Sequence, residues 1–157
     1  MIMERKIKES FSVIGKEGST MEGEGFVARL WERADRDFAE VAHLAKKEDD
    51  GSYSGFWGAM SDCSRSFRPW EDDFSRGLYL AGVECMPGAE APEGWTKWTL
   101  PGFTYLVTSD VDGAFSRMIR YLGEQGIPLA GAVQEFTDPR TGERKLYFPI
   151  QRREECL

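Results

Sequence analysis

Gly51-Ser-Tyr-Ser-Gly-Phe-Trp-Gly-Ala-Met-Ser-Asp62 leads into Leu78-Tyr79-Leu80-Ala81. Ile127-Pro-Leu-Ala-Gly-Ala-Val-Gln-Glu-Phe-Thr-Asp138 leads into Leu146-Tyr147-Phe148-Pro149. In each passage a strand-like run carries a glycine (Gly55, Gly131) and stops at Ser/Thr-Asp, and a second run opens with Leu-Tyr. A helical stretch precedes each pair. The pattern predicts an α+β fold made of one β-α-β-β module used twice, with an antiparallel sheet, helices on one face and a cleft between the copies. Clefts between packed modules are where small molecules bind.

Working outward, Phe11–Gly15 reads as a first strand, and Gly15, Gly18, Gly23 and Gly25 then read as a loop. From about Phe26 to Lys46, apolar residues at Val27, Leu30, Trp31, Ala34, Phe38, Val41 and Ala45 recur at helical spacing. Residues 53–61 and 77–84 read as strands. Met86–Gly94 is linker-like. The first module therefore spans about 8–85, the linker 86–94 and the second module 95–152, within one unit covering 1–157. In the second module, Trp95–Leu100 and Phe103–Thr108 read as one strand interrupted by Pro101-Gly102. A helix capped by Asp110 or Asp112 runs to about Gln125, with Gly126 just past its end. Strands near 129–136 and 144–150 flank the turn Thr137–Glu143.

The chain has 157 residues and a formal charge of −7. Nucleic acid and anionic membranes are poor partners for such a charge, because both are bound by Lys and Arg. No apolar run approaches the ~20 residues of a membrane helix. Cys63, Cys85 and Cys156 are odd in number and lack CxxC spacing, so they read as free thiols of a cytoplasmic protein. With one histidine, His43, neither a zinc site nor a His-based triad can be assembled, and no cofactor motif is present. Five Trp, five Tyr and ten Phe are generous for this length, and a core absorbs many of them. The surplus is worth following along the chain.

A turn centred on Arg140 sets Val133 opposite Tyr147. Val133, Glu135, Tyr147 and Pro149 then share one face, and Phe136, Leu146, Phe148 and Ile150 share the other. Laying Gly55 on Gly131 superposes Trp57 on Val133, Ala59 on Glu135 and Tyr79 on Tyr147. Trp57, Tyr79, Glu135 and Tyr147 would then surround one cleft, and an aromatic box with one carboxylate suits an organic cation. The facing depends on the register, which a one-residue slip reverses. Glu84 is a second candidate acid, brought to that face if Gly82 hosts a bulge. Trp70–Asp73 reads either as a lid over the cleft or as a solvated turn with one buried Trp.

Tyr79-Leu-Ala-Gly-Val-Glu84, Pro92-Glu-Gly-Trp95, Leu100-Pro-Gly-Phe-Thr-Tyr105 and Leu146-Tyr-Phe-Pro-Ile150, in this order, resemble the gyrase-inhibitor-like (GyrI-like) small-molecule-binding family. The same domain serves as the effector-binding module of multidrug-sensing and AraC-type regulators. The resemblance spans about residues 8–152. It implies binding of hydrophobic or aromatic compounds, cationic drugs and xenobiotics among them, with Glu135 and Tyr147 as counterparts of the family's recognition residues and Trp57, Tyr79 and Tyr105 as walls. Two alternatives come with it. One is a hydrolase opening reactive cyclopropane-containing natural products, with Glu135 as base and Tyr147 as hydrogen-bond donor. The other is an inhibitory protein partner of DNA gyrase. The chain departs from the family where Glu135 stands one position later than usual and where Lys145 replaces an acid.

Overall fold

The structure is a computed structural model that describes residues 2–153. Strands β1 (Glu4–Lys8) and β2 (Phe11–Ser19) precede helix α1 (Phe26–Arg36) and strand β3 (Phe56–Ser61). A single turn, α2 (Glu71–Phe74), precedes β4 (Leu78–Cys85). Then come β5 (Thr96–Leu100), β6 (Phe103–Ser109), helix α3 (Ala114–Glu124), β7 (Gln134–Thr137) and β8 (Arg144–Arg152). All eight strands form one antiparallel sheet in the order β1-β6-β8-β7-β3-β4-β2-β5.

That order is the repeat made visible. Exchanging β1 with β5, β2 with β6, β3 with β7 and β4 with β8 reads it backwards, so a pseudo-two-fold axis passes between β3 and β7. Both long helices open with a left-handed glycine, Gly25 (φ 79°) and Gly113 (φ 78°), a conformation that glycine adopts without steric cost. The outermost strands are exchanged. β1 pairs with β6 of the second half, and β5 pairs with β2 of the first.

Several boundaries differ from the sequence reading. β2 runs on through Gly15 and Gly18, because Gly15 sits opposite Gly82 where the two backbones approach too closely for a Cβ. α1 ends at Arg36, and the apolar spacing continues as two short 3-10 turns, Phe38–Glu40 and Ala42–Leu44. Apolar residues three or four apart suit either helix type, and Val41 and Ala45 stay buried in the α1 core. Pro101-Gly102 separates two strands rather than interrupting one. β1, which carries four charged residues in five, has no apolar pattern to announce it.

The largest correction concerns register. Gln134, not Val133, lies opposite Tyr147, and Glu135 lies opposite Leu146. The Asp138 side chain accepts from the Arg140 backbone N–H, and Gly142 adopts φ 74°. Asp138 and Glu143 close the turn, so its centre falls between Arg140 and Thr141. That half-step places Glu135 with Leu146 on the face covered by the helices and Tyr147 on the opposite face.

Both faces are apolar. On the helix side, Leu30 and Ala34 of α1 pack on Ile14, Tyr79, Ala81 and Val83, and Met118 and Leu122 of α3 pack on Leu146 and Phe148. On the other side, Phe11, Trp57, Leu80, Trp98, Tyr105 and Tyr147 form one buried cluster contributed by strands from both halves. Glu84 belongs to this second side. β4 keeps one register with both neighbours, so no bulge turns Glu84 round. Its carboxylate, 2% exposed, accepts from Trp57 Nε1 at 3.1 Å and pairs with Lys8 at 3.2 Å and Lys46 at 3.7 Å. Lys8→Met removes the nearer cation and should cost about 1.5 kcal/mol. This corresponds to a melting point about 3–6 °C lower, measurable by calorimetry.

Among the described residues no helix is long and apolar enough to cross a membrane. Cys63 and Cys85 are unpaired thiols, and Cys156 lies outside the described residues.

Candidate functional site

Beside α1, directly over the β3–β7 seam, lies a cleft of about 320 Å³. α1 contributes Trp31 and Asp35, β3 Phe56 and Gly58, β4 Tyr79, and β7 Glu135, Phe136 and Thr137. Asp110 and Arg144 stand at the far rim. Three carboxylates thus face one guanidinium.

The floor is Gly58. It pairs with Ala81 on one side and Glu135 on the other, and a Cβ here would collide with the Tyr79 hydroxyl and come 2.6 Å from Glu135 Oε1. A glycine inside a strand marks a place where something approaches the backbone closely, and here two side chains meet above it. Tyr79 donates its hydroxyl hydrogen to Glu135 Oε1 at 2.5 Å, and Trp31 Nε1 donates to the Tyr79 oxygen at 2.9 Å. The relay Trp31–Tyr79–Glu135 crosses from α1 to β7, and each bond polarises the next.

Burial raises the Glu135 carboxyl above its ordinary range. The Tyr79 bond works against that, Asp110 adds to it and Arg144 partly offsets it. Burial also drives the Tyr79 phenol strongly upward, helped by the Glu135 charge, so Tyr79 stays a neutral donor. Among the described residues no Lys, Arg or His nitrogen pairs with Glu135 within 4.0 Å. Among the described residues Oε2 has no protein donor, and Glu135 lines the open cleft. The cleft therefore offers a partly desolvated carboxylate with one oxygen held and the other free.

Of the residues singled out in the sequence, Tyr79 and Glu135 come together here. Tyr147 does not. It lies across the sheet against Trp57, Tyr105 and Phe136, its phenol pushed up to about 12 mainly by burial. Trp57 and Tyr105 are core residues of that same side, and the Tyr105 hydroxyl is buried without a partner. The superposition of Tyr79 on Tyr147 fails for the same reason, since the two rings point to opposite faces. Trp70 stands beyond the cleft, donating its indole N–H to the Leu78 carbonyl. The sequence reading passed over Trp31, Asp35, Phe56 and Gly58. Gly58, mid-strand beside Trp57, carried a usable signal, whereas Trp31 is indistinguishable from its neighbours on an apolar stripe. Among the described residues no cluster of His, Cys, Asp or Glu is arranged to hold a metal ion.

No family model matches the chain. No curated protein matches it either. Solved structures do. The chain is similar to SAV2435 bound to tetraphenylphosphonium, at 15% identity and a TM-score of 0.64, over 96% of this chain and 94% of that one. It is similar to the EcmrR C-terminal domain at 10% identity and a TM-score of 0.60, over 96% and 97%. An integron cassette protein from the mobile metagenome of Vibrio cholerae aligns at 15% identity and a TM-score of 0.53, over 96% and 95%. What is shared at these identities is the fold. The α+β architecture with its eight-stranded antiparallel sheet is the GyrI-like fold of these neighbours.

Proposed function

We propose that this protein binds small aromatic cations in the cleft beside α1, with Glu135 as the charged contact. The observation that carries this reading is the Glu135 carboxylate itself: partly desolvated, fixed by Tyr79 on one oxygen, open on the other and, among the described residues, without a basic partner within 4.0 Å. A carboxylate in that state gains when a cation arrives, because the ligand offsets the cost of its burial. Trp31 and Phe56 supply aromatic surface to the same cleft, and cation–π contacts reach about 2 kcal/mol when desolvated. A neighbour of the same fold holds tetraphenylphosphonium, which adds support.

Tetraphenylphosphonium is the probe of choice because it does not titrate. The cation favours ionised Glu135, whose carboxyl lies above its ordinary range in the free protein. Affinity should therefore be flat at high pH, then fall about tenfold per unit once the pH drops below that raised value. Titration calorimetry from pH 8 down to pH 4.5 reads this directly. Absent binding, or an affinity indifferent to pH, would sink the reading. Mass spectrometry should recover the ligand unchanged. Consumption of a reactive cyclopropane substrate would instead favour a hydrolase, in which Tyr79 rather than Tyr147 is within reach of Glu135. Loss of gyrase supercoiling activity on adding the protein would favour the inhibitory partner.

A further inference from the structure

A second hollow lies further along the same seam, separate from the first in its lining residues. On the helix side of β3, Phe56, Gly58 and Met60 follow one another, and Val133 stands two residues before Glu135 in the facing segment. Beyond the Tyr79–Glu135 hydrogen bond lies a second chamber of about 150 Å³, lined by Met60, Trp70, Phe74, Phe115 and Val133. Among the described residues no ionisable side chain lines it, so they offer a ligand little but apolar contact.

The outer wall is the α2 turn. Trp70 packs 6.4 Å from Phe26 of α1, and Phe74 meets Phe115 of α3 edge-on at 5.2 Å. The turn therefore contacts both helices over this second hollow. Asp72, Asp73 and Phe74 all have left-handed backbones, with φ of 52°, 57° and 62°. Side chains with a Cβ rarely adopt this conformation in succession. The Trp70 indole bond to Leu78 and the Phe74–Phe115 contact hold it there.

We propose that this chamber is a second subsite, which takes the uncharged arm of the ligand. The preferred ligands are then elongated amphipathic cations, with the charge on Glu135 and an alkyl chain or additional ring under Trp70 and Phe74. This rests on the reading of the cleft as a cation site. It goes beyond that reading in assigning chain-length selectivity to Met60, Phe74 and Phe115.

An alkyltriphenylphosphonium series from methyl to decyl tests it, titrated into the whole protein. Affinity should rise by about fourfold per added methylene, then level off once the chamber is full. Phe74→Ala, which removes the wall, and Met60→Trp, which fills the space, should both flatten that rise while methyltriphenylphosphonium binds as before. Glu135→Gln should weaken every member by a similar factor. A series that is flat in the unaltered protein, or whose slope survives in both variants, overturns the proposal. The neutral dye N-phenyl-1-naphthylamine separates the two readings. If no phosphonium binds but the dye does, and Met60→Trp abolishes its fluorescence gain, the chamber stands and the cation site falls.

Discussion

Glu135→Gln should weaken tetraphenylphosphonium binding by about 30-fold or more while leaving the unliganded protein at least as stable as before. Removing one partner of a desolvated charge pair costs about 2–5 kcal/mol, and 2 kcal/mol corresponds to about 30-fold. Glutamine keeps the shape and still accepts from Tyr79, so the relay from Trp31 survives. Stability should move the other way, for a linkage reason. A carboxyl whose folded pKa is raised binds its proton more readily in the folded state than in the unfolded one. Such a group destabilises the fold increasingly as pH climbs through the raised value, and fully above it. The variant should therefore gain in melting temperature at pH 8 and show little difference near pH 4. Paired calorimetric scans and binding titrations check both halves. A variant that loses stability at pH 8 would mean that Glu135 holds the fold together rather than serving a ligand.

Gly82→Ala should be the most damaging single methyl group in the chain. Gly82 is flanked by Trp57 of β3 and Gly15 of β2. A Cβ would strike the Ile14 carbonyl and lie 2.7 Å from Gly15 Cα, and these are backbone atoms that cannot swing aside. Overpacking of this kind costs about 3 kcal/mol, or about 6–12 °C in melting temperature for a chain of this length. Gly58→Ala is the instructive comparison. There the obstructing atoms are the ends of the Tyr79 and Glu135 side chains, which can rotate away. That variant should keep most of its stability and lose the hydrogen bond that shapes the cleft. Guanidinium titrations of the two, side by side, distinguish a backbone contact from a side-chain one.

The duplication and the antiparallel hairpins were legible because glycine, proline and Ser/Thr-Asp punctuate the chain at corresponding places. Which way the hairpin faced was not. Alternation reveals the inner face of a strand only when the other face is wet, and here both are covered. Leu146 and Phe148 face the helices, while Phe136 and Tyr147 face the aromatic cluster beyond. Register then hung on the turn, where an Asx contact at Asp138 and a left-handed Gly142 moved the centre by half a residue. Glu135 and Tyr79 reach the cleft together through this corrected facing, not the one the alternation suggested. Trp31 and Asp35 were hidden for another reason. They lie on α1, and no pattern in a helix tells which of its residues will overlook a neighbouring module.

The exchanged outer strands bear on how the chain comes into being. Glu4 finds its partner in Val107, so β1 leaves the ribosome long before the strand that will receive it exists. Through most of synthesis the first half is an open sheet whose border is completed only by residues 96–100, and β1 waits outside it. Contacts so distant in sequence make folding slow, and a waiting strand is a hazard if it is sticky. Glu4, Arg5, Lys6 and Lys8 make β1 a strand that repels strangers. The same charges that hid it from a reader of the sequence would keep it single until its own partner arrives.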